Sequence, residues 1–170
     1  CYEEACKGMI EIHAESAKNI LNEELEQKIP NDEEKVTCIV NALKDIPDTI
    51  DVNPIFIKIL TDRANSFKVR SHAITAAQAR SESEAHQIFR EAIDIFIHDV
   101  GGAFSGDDTR IFENLLNMVT QDIDDETFDI ILSACNSMNF ALTTIGSMEL
   151  ILKSNFSEFS PQQLYMLANL

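Results

Sequence analysis

Apolar residues recur along this chain at three- and four-residue intervals and almost nowhere at alternate positions, a pattern that predicts helices and no sheet. From Tyr2 to about Lys28, Met9, Ile12, Ile20 and Leu25 return near helical spacing with acids between them. Ile29-Pro30 ends that helix, because proline lacks the amide proton that a helix interior needs. Asn31 and Glu34 then form a restart resembling a capping box, and the second helix runs to about Asp45, stopping before Pro47. Asn53-Pro54 joins an N-cap residue type to a proline in the first turn. From there the pattern continues to His98, with room for a bend near Ser71, until Gly101-Gly102 breaks it.

Three further starts follow. Ser105-Gly106-Asp107-Asp108 opens a helix carrying Ile111, Phe112, Leu115, Leu116 and Val119. Asp124-Asp125-Glu126 opens a long one through Cys135 and Phe140, with Gly146 as a kink position. Ser160-Pro161-Gln162-Gln163 places a serine N-cap before a first-turn proline, with Gln163 closing a capping box. The expected fold is all-α: a compact bundle of roughly six or seven helices with short loops. Its 170 residues suit a single domain, with 1–70 and 71–170 as candidate sub-bundles. Ala73 to Gln87 is small, polar and helix-forming, so it is either an exposed connector or a helix packed through its small face. Close packing is the expectation, since alanine lets helix axes approach to about 8 Å.

Charge narrows the partners. Twenty-nine acids against thirteen Lys and Arg give a net charge of −16. Such a chain repels phosphate backbones and anionic membranes, and the same repulsion keeps copies apart near neutral pH. That repulsion weakens as carboxylates protonate near pH 4 to 5, roughly their ordinary range. Part of the acidity is structural, because acids at helix starts oppose the positive end of the helix dipole.

Cys1, Cys6, Cys38 and Cys135 form an even set that allows two disulfides in three connectivities. Their spacing fits neither a zinc knuckle nor a redox CxxC pair. An even cysteine set favours a secreted protein. Opening at Cys1 reads as a mature or trimmed product, with a lipidated Cys1 as a lesser reading. Asn155-Phe156-Ser157 is a glycosylation sequon. No apolar run approaches 18 residues, so no membrane span is expected.

No catalytic, metal or cofactor constellation emerges. The histidines are His13, His72, His86 and His98; on an unbroken helix His72 and His86 would stand about 21 Å apart, too far to share a metal. Asp122-Ile123-Asp124-Asp125-Glu126 has the start of a calcium loop but carries Thr127 and Ser133 where the loop needs Gly and Glu. It reads as a solvated helix cap. Gly101 to Gly106 is glycine-rich, yet no strand precedes it and no lysine follows, so it is not a phosphate loop. The carboxylates are too numerous for one acid–base pair to be singled out.

Apolar stripes remain. Phe89, Ile93, Phe96 and Val100 share one helix face, and Phe128, Ile131, Leu132, Cys135 and Met138 share another. Such stripes usually build core. The other reading lines a cavity for a lipid or similar small apolar ligand with Phe89, Ile93, Phe96, Phe128, Leu132 and Met138. Met118, Met138, Met148 and Met166 suit either role, because thioether chains adapt to irregular partners.

Residues 96–108, Phe-Ile-His-Asp-Val-Gly-Gly-Ala-Phe-Ser-Gly-Asp-Asp, resemble the helix-turn-helix phrase of spider silk proteins, the spidroins. Phe159-Ser160-Pro161-Gln162-Gln163-Leu164 is similar in flavour, as is the Ala/Ser/Gln-rich run from Ala76 to Ala85. Serine, alanine and glycine are sparser than in silk repeats, and four cysteines depart from the family's habit. The resemblance implies a secreted helical domain that stays soluble in storage and associates when pH or salt changes. The sequence therefore leads to a non-catalytic secreted acidic domain with pH- and salt-dependent self-association, or alternatively to an extracellular carrier of an apolar ligand.

Overall fold

Four serines show how this sequence starts its helices. The hydroxyls of Ser66, Ser81, Ser105 and Ser160 each accept a backbone N–H three residues on, from Val69 (3.4 Å), Glu84 (3.3 Å), Asp108 (3.1 Å) and Gln163 (3.3 Å). Each satisfies one of the N–H groups that a helix start leaves without an intrahelical partner. At two of them the partner side chain reciprocates: Ser105 N–H donates to Asp108 Oδ2 at 2.9 Å, and Ser160 N–H to Gln163 Oε1 at 2.7 Å. The one at Ser160 is the capping box expected there; at Ser105, where a helix start was expected, Asp108 closes a second.

The computed structural model describes residues 2–27, 33–98, 105–119, 125–135 and 160–167. Among them are eight helices and no strand: α1 (Tyr2–Glu26), α2 (Glu33–Leu43), α3 (Asn53–Thr61), α4 (Phe67–Gln78), α5 (Glu82–His98), α6 (Gly106–Val119), α7 (Asp125–Cys135) and α8 (Pro161–Leu167). The all-α expectation holds. The Pro30 restart, the Gly101-Gly102 break, Phe140 and Gly146 lie outside the described residues.

The chain forms two compact units, Cys1–Ile88 and Phe89–Leu170, which divide inside α5. A division at 70/71 is not where the contacts separate, because α4 packs on α2 and α3 and so belongs with the N-terminal helices. The single long helix expected from Pro54 to His98 is three helices. Asp62 to Asn65 turn the chain between α3 and α4, and Ser66 restarts it; Ala79-Arg80 turn it again before Ser81 caps α5. Apolar spacing survives both turns, which is why periodicity alone did not reveal them.

In the first unit α1 packs on α2. Val36, Ile39, Val40 and Leu43 of α2 are buried, the i, i+3, i+4, i+7 stripe of an amphipathic helix. Against α2 and α3, α4 presents Ala73, Ala76 and Ala77, all buried, together with Val69 and Ile74. Of the Ala73–Gln87 segment expected to pack as one helix through its small face, Ala73 to Gln78 lie in α4 and the rest is divided from it by the turn at Ala79-Arg80.

α1 departs most from its pattern. His13 has φ −160° and ψ 91°, non-helical values in mid-helix, and its Nδ1 accepts the Ser16 N–H at 3.2 Å as an N-cap would. α1 is therefore two helices meeting at His13. They fold back on each other: the Lys35 ammonium lies 5.8 Å from the Tyr2 ring centroid and also pairs with Glu24. On a straight helix Tyr2 and Glu24 would be about 33 Å apart at 1.5 Å per residue, far beyond one lysine's reach. The reversal leaves Ile12 86% exposed at the bend, while Cys6, Ala17, Leu21 and Leu25 carry the buried face. Met9 and Ile20 also stay out of the core, so of the four apolar residues that suggested one straight helix only Leu25 packs.

Candidate functional site

In the second unit, α5 buries Phe89, Ala92, Ile93, Phe96 and Ile97, and α6 buries Ile111, Phe112, Leu115, Leu116 and Val119. Phe96 and Phe112 meet edge to face, with ring centroids 6.1 Å apart and planes at 77°. That arrangement sets the positive edge of one ring against the negative face of the other. α7 adds Phe128, Ile131 and Leu132.

Charged residues of α5 and α7 outside those stripes line an open cleft of about 610 Å³. Arg90, Glu91 and Asp94 line it from α5; Asp125, Glu126, Asp129 and Ile130 line it from α7. Arg90 Nη1 bridges the two helices, 3.1 Å from Glu126 Oε2. Asp125 and Glu126 occupy the first turn of α7, where negative charge offsets the helix dipole. Gln163 of α8 donates to Asp125 Oδ1 at 2.9 Å, and His98 Nδ1 lies 3.3 Å from Asp94 Oδ1.

Five carboxylates and one guanidinium thus line the cleft, with Glu126 paired to Arg90. They are spread along the cleft, and among the described residues no three His, Cys, Asp or Glu side chains are arranged to hold a metal ion. Such a surface can attract cationic groups and repel a second acidic surface, with a strength that follows pH and salt. The sequence carried the signal in the spacings Arg90–Asp94 and Asp125–Asp129, which put charges on the outer faces of helices whose inner faces are apolar. Among 29 acids those five did not stand out.

The residues read as a lining for an apolar ligand lie elsewhere. Phe89, Ile93, Phe96, Phe128 and Leu132 are buried, and none of them lines this cleft; Met138 is outside the described residues. Met118 is half-buried and Met166 is exposed. Among the cysteines, Cys6 is buried in α1 and Cys38 half-buried in α2, and neither is disulfide-bonded. Burial, and after it the neighbouring Cys38, pushes the Cys6 thiol above its ordinary pKa. Cys1, Asn155 and the side chain of Cys135 lie outside the described residues, as do Asp122 to Asp124 of the calcium-like run. His72 and His86 fall on different helices, α4 and α5. No described helix is long and apolar enough to cross a membrane.

Comparison with family models, with curated proteins and with solved structures gives no match.

Proposed function

We propose that this chain is a non-catalytic, secreted helical domain whose acidic surface sets when copies associate, holding them apart near neutral pH and releasing them as pH falls or salt rises. The observation that supports it most is the cleft of the second unit, where five carboxylates face a single arginine. A net charge of −16 spreads the same imbalance over the whole chain. At low ionic strength two such surfaces repel over tens of ångströms; at 1 M salt the screening length is only about 3 Å. Ile12, Ile95, Tyr165 and Met166 are exposed and supply apolar area for association once repulsion is relieved. The resemblance of residues 96–108 to spider silk proteins fits this reading, and the even cysteine set supports secretion.

The test is the solution mass of the full chain at pH 7.5 and pH 5, each at low and high salt, beside an intact-mass spectrum of the native protein. A mass that grows on acidification or on salt addition supports the proposal. One mass under all four conditions contradicts it. A co-purifying lipid in the spectrum would replace it with the carrier of apolar ligands.

A further inference from the structure

The reversal of α1 at His13 has a chemical consequence in the first unit. It brings the Tyr2 ring beside the Lys35 ammonium of α2 at 5.8 Å, and α1 packs on α2. One helical turn onward from that contact, four residues along α1 and three along α2, stand Cys6 and Cys38. Cys6 is fully buried and Cys38 half-buried. The Cys38 charge acts on Cys6, as does that of Glu24, the residue that pairs with Lys35. Packed helices with axes 8–10 Å apart and Cα atoms about 2.3 Å off axis bring facing Cα atoms to about 3.5–5.5 Å. A disulfide spans Cα separations of about 4.4–6.8 Å, a range that overlaps the wider part of that interval.

We infer that Cys6 and Cys38 are a redox pair whose disulfide fastens the N-terminal half of α1 to α2. The oxidant is a low-molecular-weight disulfide such as oxidised glutathione. The Cys38 thiolate attacks one of its sulfurs, forming a mixed disulfide and releasing one glutathione thiolate. The Cys6 thiolate then attacks Cys38 Sγ, closing the protein disulfide and expelling the second glutathione. Two protein thiols lose two protons and two electrons, and one glutathione disulfide becomes two glutathione thiols. Of the three connectivities open to four cysteines, this selects the one that joins Cys6 to Cys38. It stands apart from the acidic cleft, which belongs to the second unit.

The test incubates the full chain with oxidised glutathione, blocks remaining thiols by alkylation, and digests it with trypsin without reduction. The expected result is a loss of two hydrogens for this bond and a linked pair of peptides, residues 1–7 and 36–44. Because the first peptide also holds Cys1, the same experiment on Cys1→Ser assigns the bond: the linked pair persists there and is lost in Cys6→Ser. Cys38→Ser, at a half-buried position, is a second loss variant that spares the buried site, with helicity checked by circular dichroism. The inference is overturned if Cys38 is found joined to Cys1 or Cys135, or if both thiols remain alkylatable in the folded, oxidant-treated protein.

Discussion

Arg90 and Glu126 form an ion pair at 3.1 Å between α5 and α7, and this pair sets the one cation of the acidic cleft against its five carboxylates. Half-exposed pairs of this kind contribute about 0–1 kcal/mol, so its value to folding is small. Its effect on charge is larger. Arg90→Glu takes the net charge from −16 to −18, because one cation is lost and one anion gained. The variant should remain folded and should need lower pH or more salt before it associates, as sedimentation would show. Glu91→Gln with Asp129→Asn should move the onset the other way. An onset unmoved by either would separate the cleft from association.

Arg80 is a buried charged residue that ties together several parts of the first unit. Its side chain is fully buried, and Nη1 donates to the carbonyls of Leu43 (3.1 Å) and Ile46 (2.8 Å) at the C-terminal end of α2. Nη2 pairs with Glu84 at 3.2 Å and Asp48 at 3.4 Å. Arg80→Met keeps the apolar stem but leaves two carbonyls without that donor. It should cost about 3 kcal/mol, taking roughly 1.5–3 kcal/mol for each hydrogen bond to a charged group and some relaxation. Arg80→Lys should recover only part, since an ammonium lacks the planar fork that serves carbonyls and carboxylates together. The midpoint of urea unfolding measures both.

The small face of α4 gives a sharper stability contrast. Ala77 is buried where α4 packs on its neighbours, whereas Thr75 on the same helix is exposed. Ala77→Leu should destabilise by about 1–3 kcal/mol through overpacking. Thr75→Leu should stay within about 0.5 kcal/mol of the parent. Equal effects at the two sites would mean that α4 is not packed through its alanines.

pH should act on the N-terminal half of α1 from both sides. The hydrogen bond from Lys7 holds the Glu3 carboxyl below its ordinary value, and the same bond raises Lys7. The Glu3 contribution is present above the ordinary glutamate range and is lost as pH falls through the lowered value. Those of Lys7 and Cys6, both raised, are present below their ordinary values and are lost as pH climbs through the raised ones. Hydrogen exchange in residues 2–12 should therefore be best protected, after correction for intrinsic rates, at roughly pH 5 to 8. Protection that increases steadily up to about pH 10.5, the ordinary lysine value, would contradict this assignment.

Helix starts were legible because capping chemistry is local: Ser105 and Ser160 announce their helices within four residues, and the structure shows the bonds that their spacing implies. The turns at Asp62–Asn65 and Ala79-Arg80 were not legible, since neither contains proline or glycine and apolar spacing crosses both. The reversal at His13 was hidden for a similar reason. Histidine is an unusual N-cap, and a bend that leaves Ile12 exposed contradicts the hydrophobic pattern used to find helices. The cleft was written in the sequence only as polar positions on the outer faces of α5 and α7. Selecting its five carboxylates required knowing that these two helices come together within the second unit.

The measurement closest to the central claim is sedimentation velocity on the reduced full chain, stepped from pH 7.5 to 4.5 at low salt and then returned. Keeping the thiols reduced removes cross-linking as a cause of any mass change. The account predicts the 19.1 kDa monomer at pH 7.5, a discrete larger species as the carboxylates protonate, and the monomer again on return. A monomer throughout, or only irreversible precipitate near the isoelectric point of about 4.4, would contradict it.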